Sequence, residues 1–383
     1  MSTSLGQYAD FGELLASMLK QTGWDAWRTR IASCPAAAVD DVLAKPEQGI
    51  DDLWALLAPL SPGQLERMAQ QAHRVTLQRF GRTVLLYAPL YVSNFCSNAC
   101  VYCGFNCRNR VARRALSVDE AEEESALIRA MGFQHILLVS GEDPRHAGTG
   151  YFTALASRLR HQFSSIGIEV QPLSSIEYAE LIACGVDSVT CYQETYNPTT
   201  YERVHRAGPK RDYARRLGTL ERAAAAGIRK VGLSPLYGLD DWRVEALMAG
   251  VHAHYMATRF WRTQVSISFP RLRPAAGGYE PPCPLDDAGL AQLICAFRLV
   301  LPDVHLVLST REPAGLRDRL LPLGITQMSA GSRTSPLGYS HDKEAGEQFT
   351  VMDERSPDDV CAMISAGGYE PVWKDWDESF LNG

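Results

Sequence analysis

The chain lacks the long apolar run that a membrane-spanning helix requires. No stretch of about 18 consecutive apolar residues occurs in its 383 residues. The amino-terminal segment also lacks the basic and then apolar pattern of a signal peptide. Basic residues are not in excess, because 38 Lys and Arg stand against 44 Asp and Glu. We therefore expect no membrane and no nucleic acid among its partners, since phosphate binding needs concentrated Lys and Arg.

Cysteine, by contrast, is plentiful. Ten cysteines without a secretion signal favour the reducing cytoplasm and a metal or redox use. Three of them form the motif Cys96-Ser-Asn-Ala-Cys100-Val-Tyr-Cys103, spaced C-x3-C-x2-C, directly after an apolar run. Three such thiolates can hold three irons of a [4Fe-4S] cluster and leave the fourth iron open to a small molecule.

With Tyr102 before the last cysteine, this spacing is the signature of radical S-adenosylmethionine (SAM) enzymes. The alternative is a closed zinc site that uses Cys107 as its fourth ligand. Zinc knuckles usually consist of two C-x2-C pairs, which this motif does not match. The pattern therefore favours the cluster.

Past residue 80, β-rich stretches alternate with amphipathic helical stretches eight times. The β-rich stretches are almost continuously apolar, as in strands that are buried on both faces of a parallel sheet. This pattern predicts a closed (β/α)8 TIM-type barrel, with an open sheet of six strands as the alternative. The predicted strands are Thr83–Val92, His135–Ser140, Gly167–Pro172, Asp187–Gln193, Lys230–Leu236, Gln264–Phe269, Val304–Ser309 and Ile325–Ser329.

Composition divides the chain into three predicted regions. Residues 1–80 form an amino-terminal helical layer, with helices over Leu5–Gln21, Gly49–Leu57 and Ser61–Phe80. Residues 81–335 form the barrel. Residues 336–383 form a short irregular carboxyl-terminal tail that packs on the barrel and contains one helix near Ser356–Ala366.

The carboxyl ends of barrel strands build the active site, so the residues after each strand are the candidates. Gly141 and Glu142 end the second strand and suit the amino group of SAM, because Gly allows close approach and the carboxylate attracts an ammonium. Glu194, after the fourth strand, can accept hydrogen bonds from ribose hydroxyls. The helix predicted over Asp212–Ala226 carries Arg215 and Arg216, and Arg216 is preferred as partner of the SAM carboxylate.

The last two strands end in groups that suit a substrate carboxylate. Arg311 follows the seventh strand with Ser309 beside it, and its alternative role is a salt bridge to Glu312 or another barrel carboxylate. A turn of small residues leads to Arg333 after the eighth strand. The basic stretch from Arg203 to Arg216 is interpreted as a solvated surface.

At this point the chain resembles a known family, the radical SAM aromatic amino acid lyases. The resemblance covers nearly the whole chain, and its motifs together are highly specific. The family fold is a (β/α)8 barrel, in agreement with the strand count. The motifs are residues 91–96 (YVSNFC), 100–105 (CVYCGF), 138–142 (LVSGE), 192–196 (YQETY), 308–312 (LSTRE) and 371–376 (PVWKDW).

The resemblance implies roles for individual residues. Cys96, Cys100 and Cys103 match the cluster ligands. On the cofactor side, the backbone of Tyr102 would lie against adenine, Glu194 against ribose and Arg216 against the SAM carboxylate. On the substrate side, Tyr91 matches a tyrosine near the substrate amino group, and Arg311 with Ser309 would hold the carboxylate unless Arg333 does so. Cys107 is interpreted as an incidental thiol.

The resemblance also implies a reaction. Reductive cleavage of SAM gives a 5′-deoxyadenosyl radical, and Cα–Cβ scission of L-tyrosine then gives 2-iminoacetate and p-cresol. The 2-iminoacetate would supply the thiazole of thiamine. Reduced flavodoxin or ferredoxin would be the electron donor, and a thiazole synthase a further partner. Cleavage of tryptophan and a zinc-stabilised barrel without activity remain alternatives. The hydrogenase-maturation tyrosine lyase is disfavoured, because only Cys361 lies beyond Cys295.

Overall fold

The computed structural model describes residues 7–340 and 345–376 of the chain. Eight parallel strands form a closed barrel, since β1 pairs with both β2 and β8. The alternative of an open sheet is therefore wrong. The strands are β1 (Thr83–Ser93), β2 (His135–Ser140), β3 (Ser165–Glu169), β4 (Val186–Thr190), β5 (Lys230–Leu233), β6 (Gln264–Ser268), β7 (His305–Leu308) and β8 (Gln327–Ser329).

Helices precede the barrel, alternate with its strands and close the chain. Five lie in the amino-terminal region: α1 (Phe11–Gln21), α2 (Trp24–Ala32), α3 (Ala36–Leu43), α4 (Leu53–Leu56) and α5 (Pro62–Phe80). The others are α6 (Val118–Ala130), α7 (Thr149–Leu159), α8 (Ser175–Ala183), α9 (Pro198–Val204), α10 (Tyr213–Leu217), α11 (Thr219–Ala225), α12 (Trp242–Arg259), α13 (Asp287–Val300), α14 (Ala314–Leu320) and α15 (Pro357–Ala366).

Local chemistry explains where the helices begin. Ser117 accepts a hydrogen bond from the backbone of Glu120, whose carboxylate accepts one from the backbone of Ser117, and this capping box starts α6. Asp10 caps α1 in a similar way, so this helix begins at Phe11 and not at the predicted Leu5, which lies outside the described residues. The apolar faces of the helices cover the outward side chains of the strands and form one large core.

Three features differ from the prediction. The helix expected over Asp212–Ala226 is two short helices that meet at Gly218, a residue of low helix propensity. Helices α2 and α3 were not predicted. Strand β9 (Glu370–Val372) in the tail was also missed, because three residues are too few to show a period; it pairs in parallel with the first residues of β1.

Several predicted strands end beyond the observed ones. Strand β3 ends at Glu169 and β4 at Thr190, so that residues 170–172 and 191–193 belong to the loops that follow. These loops lie at the carboxyl end of the barrel, where side chains are free to face a ligand. No helix in the described part of the chain is long and apolar enough to cross a membrane.

Candidate active site

The cysteine loop follows β1 and is held by backbone hydrogen bonds to the last residue of α9 and to the segment after it. The N–H of Ala99 donates to the carbonyl of Ala207, and the N–H of Val101 donates to the carbonyl of Val204. Cys100 is buried, whereas Cys96 and Cys103 are partly exposed. The loop is therefore fixed before any cofactor binds.

All three cysteines of the motif line a single cavity with about 520 Å³ of empty space. Cys107 is exposed and does not line it. In the described residues, no three His, Cys, Asp or Glu side chains converge on one metal position. A cubane cluster does not require such convergence, because each thiolate binds a different iron. The donor set and the cavity therefore fit a [4Fe-4S] cluster better than a zinc ion.

Burial raises the pKa of all three cysteine thiols of the motif. Burial, together with the negative charge that Cys96 would carry, raises the pKa of Cys103 to about 12. Burial also raises the pKa of Cys96 and Cys100. Iron binding must therefore release protons from these side chains.

The wall of this cavity carries three acidic and two basic side chains, and four of these five form ion pairs with one another. Arg216 Nη1 lies 2.8 Å from Glu142 Oε1, and Lys210 Nζ lies 2.6 Å from Glu194 Oε1. Arg216 Nη2 is also 3.5 Å from Glu194, and Lys210 is 4.0 Å from Glu142. A wall with both signs of charge suits a zwitterion such as the amino-acid end of SAM.

The backbone of Glu194 is strained. Its φ of 71° is a left-handed value that residues with a Cβ rarely adopt, and such residues cluster at functional sites. Although burial alone would raise the pKa of Glu194, the charges of Lys210 and Arg216 lower it. Glu194 is therefore an anion that is aimed into the cavity.

Lys210 was missed by the sequence analysis, because the basic stretch from Arg203 to Arg216 was interpreted as a solvated surface. That interpretation is wrong for Lys210, whereas Arg216 lines the cavity, as its predicted role requires. Both side chains are buried, whereas Arg215 is exposed. Gly208 permits this course of the chain: it has a φ of 93°, and a Cβ at this position would lie 2.3 Å from Asn98 Oδ1. Asn98 in turn donates to Glu142 Oε2 over 2.8 Å.

The side chain of Tyr102 faces away from the cavity. Its hydroxyl lies 2.8 Å from His205 Nε2, and its ring packs in a small apolar cluster with Leu236 and Leu239. The expected contact of its backbone with adenine stays a prediction. Gly141 lines the cavity next to Glu142, as expected.

A second cavity, with about 540 Å³ of empty space, adjoins the first. It is lined by the residues that were predicted to contact the substrate. Tyr91, Ser309 and Arg311 all line it. The Tyr91 hydroxyl donates to Gln348 Oε1 over 2.7 Å. The Arg311 guanidinium lies 3.4 Å from the centre of the Phe349 ring.

The two candidate arginines lie in different surroundings. Glu312 pairs with Arg271 and Arg273, so it does not hold Arg311 in a salt bridge. Arg333 is exposed and lies outside the cavity. Arg311 is therefore the arginine that can meet a substrate carboxylate here.

Glu169 and Gln348 were also missed, and both line the two cavities at once. Burial raises the pKa of Glu169 to about 7, even though Arg311 opposes the shift. A carboxyl group in a strand of apolar residues was a signal for Glu169. Gln348 lies in the tail and gave no sequence signal.

Comparison with known proteins adds evidence on the family. Residues 90–249 match the Radical SAM superfamily, and residues 268–370 match the Biotin and Thiamin Synthesis associated domain. The chain is 48% identical over 359 residues to 2-iminoacetate synthase of Escherichia coli (strain K12). These residues make up 94% of this chain and 95% of the relative. Identity to 2-iminoacetate synthase of Salmonella typhimurium is 47% with the same coverage.

A solved structure of a related protein has a similar fold. The FeFe-hydrogenase maturase HydG from Carboxydothermus hydrogenoformans is 30% identical and superposes with a TM-score of 0.87, over 96% of this chain and 86% of that chain.

Proposed function

Because the chain belongs to the 2-iminoacetate synthase family of radical SAM enzymes, we propose that its two adjoining cavities hold SAM and L-tyrosine side by side. The enzyme is a radical SAM lyase that cleaves the Cα–Cβ bond of L-tyrosine to 2-iminoacetate and p-cresol, with 5′-deoxyadenosine and methionine as coproducts. The observation that carries the arrangement is that Val139, Glu169 and Gln348 line both cavities. A hydrogen atom can then pass between reactants without exposure to water.

Cys96, Cys100 and Cys103 would hold the [4Fe-4S] cluster. When bound, the cluster and SAM supply the 5′-deoxyadenosyl radical that starts the reaction. Glu142 would accept hydrogen bonds from the amino group of SAM, Arg216 would pair with its carboxylate, and Glu194 would accept from its ribose. Lys210 keeps Glu194 charged through their 2.6 Å contact.

The chain's own residues would orient the substrate. Arg311 and Ser309 would hold the carboxylate of tyrosine, and Tyr91, fixed by Gln348, would lie near its amino group. Glu169 would attract the ammonium form of that group, because its carboxylate faces the same cavity as Arg311. These contacts fix the backbone end of any amino acid, so the choice of tyrosine depends on groups at the other end of the cavity.

The partners follow from the reaction. An external carrier, reduced flavodoxin or ferredoxin, would deliver the electron, and a thiazole synthase would consume 2-iminoacetate. The cytoplasm supplies both, and its reducing conditions agree with the ten free thiols, all of which lie in the described part of the chain.

Anaerobic turnover tests this function. The reconstituted enzyme, with SAM and dithionite, should convert L-tyrosine to p-cresol and glyoxylate, the hydrolysis product of 2-iminoacetate. Phenylalanine and tryptophan should react little, because a buried polar group matched to a phenol rejects a substrate that lacks it. An indole product from tryptophan and no p-cresol from tyrosine would contradict the substrate assignment and leave the family intact.

A further inference from the structure

Glu245 is a deeply buried carboxyl group that the proposed reaction does not use. It lies in the first turn of α12 and is 1% exposed. Among the described residues, no basic side chain lies within 4.0 Å of its carboxyl group. Burial raises the pKa of Glu245 to about 8, so this group is mostly neutral at neutral pH. Burying a polar group costs free energy unless it forms hydrogen bonds, so the partners of Glu245 indicate its role.

Both oxygens of Glu245 bind the two residues that follow Glu194. The backbone N–H of Tyr196 donates to Oε2 over 2.9 Å, and the hydroxyl of Thr195 donates to Oε1. Thr195 is itself fully buried. Helix α12 thus holds the loop after β4 directly beside the anion that faces the cavity of the three cysteines.

This attachment matters because the backbone of Glu194 is strained. A left-handed conformation at a residue with a Cβ persists only where the surrounding contacts enforce it. On the amino-terminal side, the N–H of Gln193 donates to the carbonyl of Ser234 over 3.1 Å. On the carboxyl-terminal side, Glu245 holds the two residues that follow. Without Glu245, the backbone of the loop would relax, and the carboxylate of Glu194 would no longer be held toward the cavity.

Other contacts keep the next part of the loop in place. The Tyr196 hydroxyl lies 2.9 Å from His252 Nδ1. Asn197 donates from Nδ2 to Oδ2 of Asp240 over 3.0 Å. Loss of the Glu245 carboxyl group therefore leaves the loop attached further along the chain, and its main effect should fall on the residues before these contacts.

We propose that Glu245 is a positioning residue for SAM binding: it holds the loop after β4 so that the carboxylate of Glu194 stays directed into the cavity of the three cysteines. Glu245 itself lines neither of the two cavities. The inference rests on the proposed function, in which Glu194 accepts hydrogen bonds from the ribose of SAM. Glu245 thus acts on the affinity for SAM through Glu194 alone.

Titration of the reconstituted, unreduced enzyme with SAM tests the inference without turnover. Glu245→Leu is of comparable size and has no hydrogen-bonding group, so the Tyr196 N–H and the Thr195 hydroxyl lose their partner. We expect the Kd for SAM to rise at least about tenfold, with the iron and sulfide content unchanged. Glu245→Gln should stay within about twofold of the wild type, because an amide can accept from the Tyr196 N–H and donate to the Thr195 oxygen.

A double-mutant cycle separates positioning from general damage to the fold. If Glu245 acts through Glu194, then Glu245→Leu should weaken SAM binding by less than about twofold in a Glu194→Gln background, because the group that it positions is already lost. Independent damage would instead add to the loss caused by Glu194→Gln. Thr195→Val removes the same hydrogen bond from the other side and should raise the Kd for SAM about threefold or more. This variant provides the test if Glu245→Leu does not fold.

Glu124→Leu is the matched control. Glu124 is also 1% exposed, and its Oε2 accepts a hydrogen bond from the backbone N–H of Tyr339 over 3.1 Å. It lines neither of the two cavities. Its replacement should therefore leave the Kd for SAM unchanged, even where it lowers the free energy of unfolding.

Two results would overturn the inference. One is an equal Kd for SAM in the wild type, Glu245→Leu and Thr195→Val. The other is full additivity of Glu245→Leu and Glu194→Gln, which would mean that Glu245 does not act through Glu194. In both cases, Glu194→Gln still weakens SAM binding and the wild type still forms p-cresol from tyrosine. Failure of the proposed function differs: Glu194→Gln then leaves the affinity for SAM unchanged, or no p-cresol is formed, and the inference falls with it.

Discussion

Arg216 donates a hydrogen bond from Nη1 to Oε1 of Glu142 over 2.8 Å, although the two residues are 74 positions apart in the chain. The same guanidinium donates from Nε to the carbonyl oxygen of Tyr192 over 2.6 Å. Arg216 is thus fixed between the loops that follow β2 and β4, and it lines the cavity of the three cysteines. These contacts preorganise Arg216 for the proposed pairing with the SAM carboxylate.

Replacement of Arg216 by Ala should weaken SAM binding and leave the cluster in place. Loss of a charged hydrogen-bonding partner costs about 1.5–3 kcal/mol, which is about one to two decades in affinity. Titration of the reconstituted enzyme with SAM measures the effect. Arg215→Ala is the matched control, because this neighbouring arginine is exposed and should not alter SAM affinity.

Replacement of any one of Cys96, Cys100 and Cys103 by Ala should abolish the cluster and SAM cleavage, because each thiolate would be the protein ligand of one iron. Iron and sulfide content and the visible absorption of the reconstituted protein provide the measurement. Cys107→Ala should keep both, since this thiol is exposed outside the cavity. Full activity in one of the first three variants would refute the ligand assignment.

Replacement of Arg311 by Ala should remove tyrosine cleavage, while production of 5′-deoxyadenosine continues without p-cresol. The reason is that Arg311 lines the substrate cavity and not the cavity of the cysteines. Quantification of both products by chromatography separates the two reactions. Arg333→Ala should behave as the wild type, because this side chain is exposed, and a loss of p-cresol in it would reverse the assignment.

The KM for tyrosine should rise as the pH falls through 7. Burial raises the pKa of Glu169 to about 7, so this carboxyl is neutral below that pH and no longer attracts the substrate ammonium. Glu169→Gln should show a high KM with little dependence on pH in this range. Glu202→Gln, at an exposed position, should retain the wild-type profile. Identical profiles in the wild type and Glu169→Gln would exclude this role.

The stability of the barrel should depend on the ion pair between Arg317 and Asp353, in which both side chains are fully buried. Asp353→Ala should lower the free energy of unfolding by about 3–5 kcal/mol, because an uncompensated buried charge remains. Urea denaturation of the cluster-loaded enzyme measures this. Asp318→Ala is the control: it removes an exposed partner of Arg355, which is worth at most about 1 kcal/mol.

The ion pair between Arg317 and Asp353 also determines how the free energy of unfolding changes with pH. Burial alone would raise the pKa of Asp353, but hydrogen bonds from Arg355 and the charge of Arg317 lower it below its usual value. The stabilisation is therefore complete above the pKa of an unfolded Asp, about 3.9, and is lost as the pH falls below it. The wild type should lose more stability in this range than Asp353→Ala does.

Features with a short period or a fixed spacing could be predicted from the amino-acid sequence alone. The cysteine spacing predicted a cluster loop, and the alternation of apolar strands and helices predicted the closed barrel that is observed. Candidates at strand ends, such as Glu142 and Arg311, followed from the rule that parallel strands share one functional end. In each case, the information lies within a few neighbouring residues.

Only the tertiary structure decided which groups meet. Lys210 was part of a basic stretch with the appearance of surface, and it is buried because Gly208 turns the chain against Asn98. Gln348 comes from the tail to Tyr91 across 257 positions, and no local pattern encodes such a contact. The sequence by itself therefore determined the barrel elements and the cofactor chemistry, because these depend on local patterns, whereas convergence of distant side chains decided the shape and charge of each cavity.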